Sequence, residues 1–232
     1  MRSAWRALAP HTSYRPGAFT TEVYQSRVAG KPRHSGAIAV LEYFGVPDAA
    51  SRAREYAAAK QRQVEALIAA GNFAAFDDAL ALVIALLAAG NPLAAASSSK
   101  NASELIRRID VARFAERAGL DAPALGGRRT LLDVFAVDVC GAEVGRGKPD
   151  PAIFLLAATE LGIPAARCIV VEDAPSGIEA AKAGGMCAVG IARWHDEALL
   201  LAAGADVVVN RLDAHVLAPC LADAGKAAGS NG

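Results

Sequence analysis

The amino-acid sequence predicts an α/β protein: a parallel-sheet core preceded by a helical segment. Three observations lead there. From about Leu93 to Val209, short apolar runs alternate with amphipathic stretches, the pattern of β-α units in a parallel sheet. Residues 1 to 70 hold no convincing strand. The apolar run Cys168 to Val171 stops at two adjacent carboxylates, Glu172 and Asp173, and in parallel sheets ligands bind at the carboxyl ends of strands. At 232 residues, 53% of them hydrophobic, the chain is long enough for one large domain or for a core with a small companion.

Met1 to Thr21 carries Arg2, Arg6 and Arg15 and no acidic residue, which reads either as a transit peptide or as structure. Ala4-Trp5-Arg6-Ala7-Leu8 favours a packed helix. Ala49 to Ala70 lacks Pro and Gly and is rich in helix formers, with Asp48 as its expected N-cap. After the Gly71-Asn72 break, Phe73 to Ala89 reads as a second helix stopped by Gly90. The expected strands are Leu93–Ala96, Val134–Val139, Cys168–Val171, Met186–Ile191 and Val207–Val209. Between them lie helices expected at Ala102–Arg108, Val111–Ala118, Ala152–Leu161, Ser176–Ala183 and Asp196–Ala203. The chain thus divides into a helical part (1–72), an α/β part (73–223) and a small polar tail (224–232) expected to be disordered.

Lys+Arg and Asp+Glu both number 24, so no net field favours nucleic acid or an anionic membrane, and an anionic ligand must be held locally. The apolar stretch Ala79 to Ala89 is too short to span a bilayer. Cys140, Cys168, Cys187 and Cys220 are far apart with no C-x-x-C pair, which disfavours a zinc site or a disulfide framework and fits a reducing cytoplasm.

Three short segments carry chemistry. Glu172 and Asp173 are hard oxygen donors suited to Mg²⁺, although an Asp before Pro175-Ser176-Gly177 also suits a helix cap. Lys148, in Gly147-Lys148-Pro149-Asp150-Pro151, sits in a turn stiffened by two prolines, where its ammonium can neutralise phosphate or simply be solvated. In Ser97-Ser98-Ser99-Lys100-Asn101, a hydroxyl and backbone N–H groups meet at the start of a helix, an arrangement that holds phosphate or merely caps the helix.

Taken together, the order Ser97, Lys148, Glu172-Asp173, with the text Gly-Lys-Pro-Asp-Pro and Val-Glu-Asp-Ala-Pro-Ser-Gly-Ile-Glu-Ala-Ala, resembles the haloacid dehalogenase superfamily. The likeness is to its β-phosphoglucomutase-like branch of sugar-phosphate phosphatases and mutases. It implies a Rossmann-like core with a small α-helical cap. It also implies a phosphoryl-binding Ser97 with Lys100 and Asn101 beside it, a charge-stabilising Lys148, and Mg²⁺ on Glu172 and Asp173. Gly30-Lys31-Pro32-Arg33 is similar to a cap loop whose arginine binds a substrate phosphate; Lys60 matches a cap lysine or is a solvated lysine; Trp5 matches the beginning of the cap. The implied partner is a small phosphorylated metabolite, with neither nucleic acid nor membrane.

One departure stands out. Members of this family begin with a strand ending in Asp-x-Asp-Gly, whose first Asp attacks phosphorus, and the first aspartate here is Asp48. Asp77 and Asp78 precede a helix and do not fit the role. The first core strand is expected to be missing as well, leaving two strand edges facing an empty slot. The expectation is a phosphatase or mutase whose functional form begins upstream of Met1. The alternative is a non-catalytic phosphometabolite-binding or interaction protein on the same fold.

Overall fold

The computed structural model describes residues 14, 15 and 17–221. The expectations for Trp5, for the Ala4–Leu8 helix and for the tail at 224–232 lie outside the described residues. Two compact units are present, Met1–Phe73 and Ala74–Gly232.

In the first unit the described elements are helices: α1 (Thr21–Arg27), α2 (Arg33–Tyr43) and α3 (Ala49–Ala69). Thr20 accepts the Val23 N–H and starts α1, whereas Pro32, with no side chain to donate or accept, precedes α2. Val40, Leu41, Ala53 and Tyr56 are almost wholly buried where α2 packs on α3, and Phe44 anchors the end of α2 among Tyr14, Phe19 and Tyr43. Asp48 is the N-cap of α3, as expected, but makes no side-chain capping bond. It lies in the left-handed region at φ 54°, and its carbonyl, rather than its carboxylate, receives the Ser51 hydroxyl and the first N–H groups of the helix.

The second unit opens with α4 (Asp77–Ala88), four residues later than the sequence predicts. Asp77 and Asp78 fill its first turn, where carboxylates complement the helix dipole, and Phe76 is extended. Then follow β1 (Ala94–Ala95), α5 (Ala102–Arg107), α6 (Val111–Ala118), β2 (Val137–Asp138) and α7 (Ala152–Leu161). The chain closes with β3 (Ile169–Glu172), α8 (Pro175–Ala183), β4 (Cys187–Ile191), α9 (Glu197–Ala202) and β5 (Val207–Val209). The expected strand at Val134–Val139 shrinks because Leu132–Val134 turns into a 3-10 helix. Asp110 caps α6 on the Arg113 N–H, and left-handed Gly119 and Gly162 end α6 and α7.

All strand pairs are parallel. β1 pairs with β2, and β3, β4 and β5 form a second sheet in that order, with Glu172 opposite Gly190 and Ile191 opposite Val209. Alternation along the strands sends Val170 and Ala188 to a core shared with α7, α8 and Leu200, while Ile169, Val189 and Ile191 pack towards Leu82 of α4, Leu212 and Leu217. Ala94 and Val137 of the first sheet join the same core as Val170, yet no strand among the described residues bridges β1 and β3. Val171 is left 38% exposed, unusual in a parallel strand, which ordinarily buries both faces.

The cysteine spacing misled. Cys187 at the start of β4 and Cys220 are joined by a disulfide, with Cα atoms 5.8 Å apart, because the chain returns past β5 to cover β4. Proximity in space, invisible in the spacing, makes the pair, and the argument for a reducing compartment loses its premise. Closing a loop over a sequence separation of 33 stabilises the fold by about 3–4 kcal/mol in the chain-entropy picture. Reduction, or Cys187→Ser, is therefore expected to lower the midpoint of thermal unfolding by several degrees. Identical melting with and without reductant would show that the link does not form.

Candidate active site

Strand β3 delivers Glu172 and Asp173 to the C-terminal edge of its sheet, and Lys148 reaches them from the turn before α7. Asp150 accepts the Ala152 N–H at the start of α7 and so fixes the end of that turn. The Lys148 Nζ donates to Glu172 Oε2 at 2.7 Å, with the two side chains only 4% and 12% exposed. The Phe154 ring lies 4.5 Å from the ammonium, adding a cation–π contact in a place with little water. Gly177, one turn into α8, is required sterically: a Cβ there would collide with the carboxylate end of Glu172.

The two neighbouring acids differ in situation. Glu172 pairs with Lys148, whereas Asp173 is an exposed residue whose carboxyl is nonetheless crowded by protein. Protein packed around the Asp173 carboxyl, together with the Glu172 charge, pushes it up to about 6; Lys148 opposes this and Asp196 adds to it. Asp173 does not cap α8, whose N-cap is Ala174 with no side-chain bond. Asp196, which the sequence pattern did not single out as a site residue, is buried and accepts the Trp194 N–H. Its only sequence signal was its place just after the apolar run of β4. Three carboxylates against one buried ammonium leave a local excess of negative charge. That excess, with the hard-oxygen donors of Glu172 and Asp173, suits a divalent cation that keeps water and phosphate in its remaining positions. Among the described residues no group of three metal-ligating side chains forms, so such an ion would depend on those outside ligands.

Ser97, Lys100 and Asn101 stand together at the end of β1. The Ser97 Oγ accepts the Ser99 N–H at 3.1 Å and the Ser99 Oγ accepts the Asn101 N–H at 3.2 Å, so these N–H groups are engaged within the turn rather than free, as expected from sequence. Gly141, at φ 71°, donates to the Ser97 carbonyl at 2.7 Å and lies so close to the Lys100 backbone that a side chain would not fit. Lys100 forms an exposed ion pair with Glu143 at 2.8 Å. Arg33 and Lys60 belong to the first unit. Arg33 is the first residue of α2, which has no acidic residue in its first turn; burial lowers the Lys60 pKa, and the Arg33 charge lowers it further. Lys60 also lies 6.0 Å from the Tyr24 ring, so it is not the freely solvated lysine that the sequence left open.

The sequence profile of the haloacid dehalogenase-like hydrolases matches residues 3–185. The chain belongs to this family. This haloacid dehalogenase-like hydrolase is 36% identical over 116 residues to beta-phosphoglucomutase of Bacillus subtilis (strain 168), covering 50% of the chain and 40% of that protein. Over 147 residues it is 35% identical to validoxylamine A 7'-phosphate phosphatase of Streptomyces hygroscopicus subsp. limoneus, covering 58% and 65% respectively. The chain therefore spans less than two thirds of the length of either relative. Among solved structures it is similar to the archaeal beta-phosphoglucomutase of Pyrococcus sp. strain ST 04, with TM-score 0.65 and 26% identity, covering 95% of this chain and 92% of that one.

Two outcomes are expected for the protein. Gly177→Ala should cost about 1–3 kcal/mol by forcing Glu172 away from Lys148, and a double-mutant cycle with Glu172→Ala should show most of that cost as coupling. Additive effects in the unfolding curves would contradict the contact. For Asp173, whose folded pKa is raised, ionisation burdens the fold: the penalty is absent below about pH 4, grows with pH and is complete above about pH 6. Metal-free Asp173→Asn should thus melt above the parent protein near neutral pH and together with it near pH 4; an advantage unchanged at both pH values would refute the assignment.

Proposed function

We propose that the chain supplies the phosphate- and Mg²⁺-binding half of a phosphatase or phosphomutase acting on a phosphorylated carbohydrate. The observation that carries this reading is the buried Lys148–Glu172 pair beside a charge-crowded Asp173 at the C-terminal end of β3. Relatives named beta-phosphoglucomutase and phosphorylated carbohydrates phosphatase support the substrate class.

Each residue then has a task. Glu172 and Asp173 hold the cation, and Lys148, kept dry and pointed by its ion pair, presents positive charge where a phosphoryl oxygen approaches. When bound, Mg²⁺ supplies Lewis-acid neutralisation of the phosphoryl charge. The Ser97 Oγ accepts from the Ser99 N–H and its O–H donates to a phosphoryl oxygen, with Lys100 and Asn101 at its side. In the first unit, read as the cap, Arg33 and Lys60 place two cations close enough to disfavour each other, and Arg33 at a helix start lacks an acidic neighbour. Both features favour an anion there.

Family catalysis proceeds through an aspartyl nucleophile. No Asp-x-Asp occurs in the sequence, and β1 and β3 remain unpaired with one another, as though a strand belonged between them. For residues 1–232 by themselves the proposal is binding without turnover.

Isothermal titration tests this. Inorganic phosphate should bind only with Mg²⁺ present; Ser97→Ala should weaken it about tenfold and Asp173→Asn should abolish it. Sugar-phosphate hydrolysis should be negligible. Phosphate binding that ignores Mg²⁺ and both substitutions would remove the assignment, and hydrolysis abolished by Asp173→Ala would overturn the inactive state.

A further inference from the structure

The segment Ala192–Asp196 leaves the C-terminal end of β4, the strand whose Gly190 lies opposite Glu172. The Ala192 N–H donates to the Val209 carbonyl at 2.7 Å. Arg193 makes a two-pronged ion pair with Asp78 of α4, both bonds 2.8 Å and both side chains almost buried. Asp78 is held in turn by the N–H groups of Ala79 and Leu212, and the Phe76 ring covers the guanidinium at 4.2 Å. The Trp194 N–H donates to Asp196 Oδ1 at 3.2 Å, and His195 takes the left-handed conformation at φ 58°, uncommon for a residue with a side chain. Asp196 is 5% exposed; its carbonyl receives the first N–H groups of α9, but its carboxylate does not cap that helix.

A loop so constrained could have buried its largest side chain, yet Trp194 is left 53% exposed, with Phe76 comparably exposed against Arg193 beside it. Isolated surface apolar residues need no explanation. Here, however, an exposed indole is carried on a backbone determined by a buried ion pair, a carboxylate and a left-handed residue. Sparsely populated backbone conformations persist where the surroundings over-determine them, commonly at ligand sites. The loop also stands at the sheet edge where ligands of parallel sheets bind.

We propose that Trp194 is a specificity-determining residue whose indole face packs on the C–H face of a ring-shaped sugar or cyclitol phosphate held at the acidic pair. The inference rests on the phosphate-binding reading above and extends it from the phosphate to the carbon skeleton. Rings with axial hydrogens offer a flat apolar surface to an aromatic face, whereas inorganic phosphate and short acyclic polyol phosphates offer none. Arg193 and Asp78 act as positioning residues, since they fix the backbone that carries the indole.

The test uses the full chain with Mg²⁺ and three probes: inorganic phosphate, glycerol phosphate and glucose 6-phosphate. Titrations compare the parent protein with Trp194→Ala, Trp194→Leu and Trp194→Phe, each first shown by circular dichroism to melt like the parent. The Ala and Leu variants should bind glucose 6-phosphate about three- to tenfold more weakly, with Phe restoring most of the affinity and the other two probes unaffected. Equal loss for all three probes, or no loss for the sugar phosphate, would overturn the role of Trp194 while leaving the phosphate site standing. If inorganic phosphate fails to bind the parent protein in Mg²⁺, the phosphate-site reading falls first and this inference with it.

Discussion

The ammonium of Lys148 and the carboxylate of Glu172 stand 24 residues apart in sequence and 2.7 Å apart in space, nearly removed from water. A buried pair of this kind contributes little net stability against an apolar substitute, but losing one partner costs about 3–5 kcal/mol because the other is stranded. The surroundings are shaped by that constraint. Gly177 must lack a side chain because the Glu172 carboxylate occupies its place, and Phe154 turns its ring to the ammonium. The turn before α7 must hold Lys148 in register with the end of β3.

Commitment of Glu172 to Lys148 makes its neighbour chemically different. Asp173 faces solvent, and its ionisation is opposed by crowding, by Glu172 and by Asp196. Of two adjacent carboxylates, one thus shares an oxygen with the Lys148 ammonium and the other resists ionisation. A divalent cation would relieve the repulsion, which gives the acidic pair a physical reason to be left under-neutralised in the bare protein.

Family membership explains the α/β architecture and leaves the arrangement of its strands to be understood. Two parallel sheets line one core, and the exposed Val171 lies on the strand that borders the interval between them. Side chains of both sheets join α7 and α8 in that core, so it closes through packing even where the backbone ladder does not. On the opposite flank the chain closes differently, with Cys220 and Leu217 packed over β4 and the Cys187–Cys220 link fastening them.

Local chemistry made much of this protein legible. Gly119 and Gly162 at helix ends, the alternation of apolar runs, and the carboxylates after Val171 all act within a few residues, so their signals survive in one dimension. By itself the sequence determined the α/β class, most element positions and the residues that meet at β3 and β1. Tertiary structure alone decided the rest. The N-terminal end of α4 settles at Asp77, and Cys187 finds Cys220. Asp78 is taken by Arg193, 115 residues away. The reason is common to all three: each depends on what the folded chain brings alongside, and neither periodicity nor spacing encodes the neighbours of a residue across a sheet.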